Sequence, residues 1–84
     1  MDANVVAEQL NKITGKPGQA GVILHGNGGH IGLGDGKHPI ISVTIRPDGL
    51  IEVTSDTGWD VFDAADVAVV YWNGTPGEGG GQYL

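Results

Sequence analysis

The spacing of hydrophobic positions changes along the chain, and each change marks an element. Between residues 3 and 14, Val6, Leu10 and Ile13 recur at i, i+4 and i+7. That spacing puts three apolar side chains on one face of a helix. Asp2 stands where an N-cap is needed, and Lys12 suits the carbonyl end of the helix dipole. Gly15 offers a left-handed C′ position and Pro17 blocks continuation. A helix of about 12 residues is marginal alone in water. Its apolar face is therefore expected to pack on a sheet or on another subunit.

Further on the period falls to two. Ile41, Val43 and Ile45 alternate with Ser42, Thr44 and Arg46, and Ile51 and Val53 alternate with Glu52 and Thr54. Both runs read as half-buried strands. Between them, Arg46-Pro47-Asp48-Gly49-Leu50 is the strongest turn signal in the chain. Proline presets φ, aspartate tolerates the second position, and glycine takes the left-handed position of a type I turn with a G1 bulge. Ser55-Asp56-Thr57-Gly58 gives a second turn, and Trp59-Asp60-Val61-Phe62 a third strand. Asp63 can cap a helical turn over Ala64-Ala65-Asp66, and residues 67–72 are apolar on both faces, as a central strand would be. Residues 40–72 are thus expected to form an antiparallel β core. Upstream, residues 21–25 read as a buried first strand. Residues 26–37 read as a glycine-rich loop and connector, with room for a short strand at 30–33.

The fold expectation is mainly β with one N-terminal helix: an α+β domain over residues 1–73, followed by a mobile glycine-rich tail at 74–84. The order hairpin, strand, helical turn, final strand resembles a small antiparallel SH3-like barrel or roll. The resemblance rests on residues 41–54, 59–62, 63–66 and 67–72. Small phage-encoded accessory proteins of the head, tail or anti-defence type are similar in being short, acidic, glycine-rich and without cysteine. This second resemblance implies a virion or host-cytoplasm setting and transfers no functional residue.

Composition narrows the picture. The chain has 84 residues, 16 of them glycine and none cysteine. It is long enough for one small domain, and no disulfide or cysteine-based zinc site supports it. No apolar run approaches the roughly 20 residues that cross a bilayer. The acidic start, Met1-Asp2-Ala3-Asn4, does not look like a secretory signal. A soluble, cytoplasmic protein is the expectation, with no weight given to the glycosylation sequon Asn73-Gly74-Thr75.

The net charge of −6 is unevenly placed. Up to residue 46, Lys12, Lys16, Lys37 and Arg46 outweigh Asp2, Glu8 and Asp35 by one. Beyond it there is no Lys, Arg or His, only Asp48, Glu52, Asp56, Asp60, Asp63, Asp66 and Glu78. Such a half repels nucleic-acid phosphates and favours a basic protein surface or a divalent cation. Its plainest reading is solubility.

Candidate chemistry is sparse. Val22-Ile23-Leu24-His25-Gly26-Asn27-Gly28-Gly29 resembles the strand and His-Gly oxyanion loop of α/β-hydrolases. The nucleophile elbow of that fold is missing, since Ser42 and Ser55 sit in strand-like surroundings, and the chain is too short for it. A P-loop needs glycine at position 31, where isoleucine stands, and His38 replaces its magnesium-binding hydroxyl. His25, His30 and His38, with Asp35, have imidazole and carboxylate groups that suit zinc, but no helix-face spacing supports them. Asp56, Asp60, Asp63 and Asp66 fall within eleven residues without the EF-hand pattern.

No catalytic residue, metal or cofactor is therefore assigned. The functional expectation is a non-enzymatic protein-binding or assembly module, most concretely a phage head or tail accessory. Its candidate binding residues are Asp56, Trp59, Asp60, Asp63, Asp66, Trp72, Tyr83 and Leu84, with a basic protein or another copy as partner. One alternative is an acidic inhibitor of a defence or nucleic-acid enzyme. A second is a metal- or ligand-binding protein built on the histidine and glycine loop. Neither direct nucleic-acid binding nor membrane binding is expected.

Overall fold

The computed structural model describes residues 1–74 and the backbone of 81–83. The elements run α1 (Ala3–Asn11), β1 (Gln19–Leu24), β2 (His30–Gly34), β3 (Ser42–Ile45), β4 (Ile51–Ser55), β5 (Gly58–Phe62), a 3-10 turn (Ala64–Asp66), β6 (Val67–Asn73) and β7 (Gly81–Tyr83). The mainly-β architecture with one N-terminal helix is as expected.

Asp2 caps α1, its carboxylate accepting the Asn4 N–H at 2.7 Å. The helix ends three residues earlier than its apolar period suggests. Ile13 N–H reaches Leu10 C=O and Thr14 N–H reaches Asn11 C=O, so the last turn tightens to i→i+3 bonding. Ile13 stays on the apolar face and is buried.

The strands fall into two antiparallel sheets, ordered β2-β1-β6-β7 and β3-β4-β5. The second is a meander. Its first turn has the bonds of the expected bulge type: Gly49 N–H donates to Arg46 C=O and Arg46 N–H to Leu50 C=O. Gly49 takes φ of 86°, which a side chain would strain.

Two expectations change. Residues 40–72 do not form one sheet, because β6 pairs with β1, setting Val22 beside Val70 and Ala20 beside Trp72. The 3-10 turn, capped by Asp63, redirects the chain after β5 and carries β6 into the other sheet. The glycine block is also more than a connector. It folds back as a hairpin in which Leu24 N–H donates to Gly29 C=O, and β2 pairs along β1. The expected central position of residues 67–72 holds, since β6 lies between β1 and β7, but its neighbour is β1 and no strand of the second sheet.

No ladder joins the two sheets, so the closed SH3-like barrel is not formed among the described residues. The sheets instead share one apolar layer. Val22, Leu33, Val67 and Val70 from one meet Ile51, Val53 and Phe62 from the other, and Val6, Leu10 and Ile13 of α1 complete it. The tail expected to be mobile lies mostly outside the described residues, apart from 81–83, which pair with β6. No helix among the described residues is long and apolar enough to cross a membrane.

Leu10 has no exposed surface. Leu10→Ala is expected to cost about 2–5 kcal/mol, read as a lower denaturant midpoint at unchanged slope. An unchanged midpoint would mean that α1 does not belong to the core.

Candidate site in the cleft between the sheets

A cleft opens where β2 and the β4–β5 hairpin approach each other. A short turn builds one wall. The Asp35 carboxylate accepts the N–H groups of Lys37 and His38, both at 2.8 Å, while Asp35 N–H donates to His38 C=O. An aspartate that holds its own following backbone in this way is a local device. It presents His38 toward the opposite sheet.

There His38 Nδ1 lies 2.7 Å from Asp56 Oδ1 at the tip of the β4–β5 turn. A carboxylate only accepts, so Nδ1 carries the hydrogen whether the ring is neutral or charged. The pair links the β2–β3 connection to the second sheet. Ser55 Oγ and Thr57 Oγ1, 2.8 Å apart, add hydroxyls beside it.

Between these walls is a cleft of ≈ 330 Å³, bordered by Gly32–Asp35 on one side and Gly58–Asp60 on the other. Asp60 stands opposite buried Val53 in the ladder and so takes the face turned toward the first sheet. Trp59, opposite Thr54, takes the other face and is 71% exposed. It is the most exposed large apolar side chain among the described residues.

A second hollow, ≈ 420 Å³, lies on the outer face of the first sheet, with Ile23, His30 and Tyr71 on its walls. Tyr71 crosses β1 to meet His30 edge to face, with ring centroids 6.5 Å apart. It can cross because Gly21 lacks a Cβ, which would collide with the tyrosine ring and with Ile31 C=O.

The candidate residues read from the sequence are dispersed. Asp56, Trp59 and Asp60 gather at the cleft. Asp63 and Asp66 belong to the 3-10 turn, where Asp63 caps Ala65 N–H at 2.9 Å. Trp72 is half-buried against the core, and Lys16 Nζ sits 5.6 Å from its ring centroid. Tyr83 pairs in register with Tyr71, and Leu84 lies outside the described residues.

The histidines do not form a cluster. His25 follows β1, His30 stacks on Tyr71, and His38 pairs with Asp56. Among the described residues no three His, Asp or Glu side chains could hold a metal. Asp35 and His38 were considered only as ligands of a metal site, and Ser55 and Thr57 were not singled out as binding residues. The Asp-Gly-Lys-His turn was a legible signal for the first two, whereas the approach of the two sheets was not. Comparisons with protein families, with curated proteins and with solved structures found no match for this chain.

The two backbone N–H groups hold the Asp35 carboxyl below its usual value of 3.8. Burial pushes the Tyr71 phenol above 10.0. A carboxyl lowered in the folded state adds stability above its unfolded pKa, and that stability is lost as pH falls through the folded pKa. Carbon-detected NMR titration is expected to find the Asp35 carboxyl titrating below 3.8. A value at or above 3.8 would mean the turn is not held as described. The His38–Asp56 pair is exposed on both sides, so a double-mutant cycle with His38→Ala and Asp56→Ala is expected to give a coupling of at most about 1 kcal/mol.

Proposed function

We propose that the protein is a non-enzymatic binding module whose partner seats on the cleft beside Trp59. One observation carries this reading: a tryptophan 71% exposed at the rim of a ≈ 330 Å³ cleft. An indole left in water is a cost that burial against a partner removes, and tryptophan is over-represented among the residues that dominate interfaces. The surrounding carboxylates favour a basic partner. A phage head or tail accessory is the concrete form of this role that size and composition suggest.

Two features weigh against a hydrolytic site. Ser55 Oγ is hydrogen-bonded to Thr57, and no hydrogen bond joins it to His38. The inhibitor reading needs carboxylates arrayed like phosphates. Here they divide between the cleft and the 3-10 turn, which favours the binding-module reading.

Immobilised protein exposed to an extract of its native source is expected to retain a partner. Trp59→Ala is expected to weaken that retention by about tenfold or more without moving the unfolding midpoint. Equal retention by both proteins would remove Trp59 from the interface. Recovery of the chain in purified phage particles would support the virion form of the proposal.

A further inference from the structure

We infer that the cleft takes an extended, arginine-bearing peptide segment, which adds to the free edge of β5 as a fourth strand of the second sheet. This rests on the binding role proposed above and specifies its partner.

Arg46 N–H bonds to Leu50 C=O and Ile41 N–H to Thr54 C=O. In an antiparallel ladder the direction of these groups alternates from residue to residue. Residues 52 and 54 of β4 therefore turn to β3, and 51, 53 and 55 turn to β5. Their partners are Phe62, Asp60 and Gly58. The N–H and C=O groups of Trp59 and Val61 consequently point away from the sheet, at an edge where no strand follows among the described residues. The same alternation, counted from the Leu24–Gly29 bond, turns those of His30 and Gly32 outward from β2.

The β2 and β5 edges are thus both open, and both border the same cleft. At the far side of the second sheet α1 packs beside β3. Glycines keep the rim of the cleft bare, and a Cβ at Gly32 or Gly58 would meet nothing within 4 Å. An extended chain can approach here without displacing side chains.

Edge strands are normally guarded by lysine, proline or an inward-pointing charge. β5 has no lysine or proline, and it exposes Trp59 on one face. Its one guard is Asp60 on the other. That charge repels an apolar or acidic strand and admits a cationic one. Asp35 lines the opposite wall and Asp56 stands at the mouth, while no lysine or arginine lines the cleft. Arginine fits best, since its planar guanidinium both pairs with carboxylates and stacks on an indole. Successive side chains of the added strand would alternate between the Trp59 face and the Asp60 face.

The test uses the full chain and blocked hexapeptides of alternating arginine and valine. Controls carry glutamate for arginine, or one N-methylated backbone amide. The arginine peptide is expected to quench or shift Trp59 emission on binding. The glutamate peptide should not bind, and the N-methylated peptide should bind at least about tenfold more weakly. Amide exchange gives the decisive readout. The Trp59 and Val61 N–H groups, open in the free protein, should become protected, whereas the already paired Asp60 N–H should change little. Asp60→Asn should lower affinity about tenfold.

Binding that depends on Trp59 but leaves both amides unprotected would overturn strand addition while leaving the binding role intact. Equal affinity for the arginine and glutamate peptides would overturn the basic partner. Protection of both amides with rising protein concentration alone would assign the edge to a second copy of this chain, against the proposal. No peptide binding, together with retention of a native partner by Trp59→Ala, would remove both readings.

Discussion

The structure depends on one shared apolar layer. Each sheet turns a face of apolar side chains toward the other, and neither could stand in water with that face uncovered. The chain has no cysteine to close a loop covalently. Among the described residues no polar or charged side chain is buried to lend specificity from within. Val6 and Leu10 of the helix, Val22, Val67 and Val70 of one sheet, and Ile51 and Val53 of the other must therefore exclude water together. Contact is the hydrophobic driving force here, and it scales with area removed from water. Losing any one layer would uncover the other two.

That dependence shapes the surface. Two sheets that meet face to face, without a continuous ladder, leave a seam where their edges diverge. The seam is polar because its walls are turns: Asp35 folds the backbone on one side, and Ser55 to Gly58 reverse the chain on the other. The His38–Asp56 contact spans it with two exposed side chains, a joint weak enough to open and reform readily. The cleft is thus a by-product of how the core is assembled, and its chemistry comes from turn residues chosen for local geometry.

Much of the local structure was legible. The helix face, the Asp2 and Asp63 caps and the Arg46–Leu50 turn are set by neighbours within four residues, and their chemistry is written in the residues themselves. Pairing between distant strands was not. Nothing in residues 67–73 indicates β1 rather than β5 as partner, since a strand apolar on both faces accepts either. The β1–β2 hairpin was obscured because Gly26, Gly28 and Gly29 also read as a loop. For the site, Trp59, Asp60 and Asp56 were legible as a sequence cluster, while the opposing wall came from a segment twenty residues away. Trp72 read as an interface residue because hydropathy does not distinguish an aromatic against the core from one in solvent.

The β1–β6 pairing carries a consequence for the order of assembly. The β3–β4–β5 meander needs only tight turns, so its contacts are local and can form early. Sheet one requires residue 22 to meet residue 70, which closes a loop around the entire meander. Its entropic cost must be met before that pairing returns any stability. During synthesis the β1–β2 hairpin and α1 emerge first and wait with their apolar faces uncovered until β6 leaves the ribosome. A strand late in the chain is thus the one that locks the first, and the nascent chain passes through a period in which the β1–β2 hairpin lacks the strand that β1 pairs with.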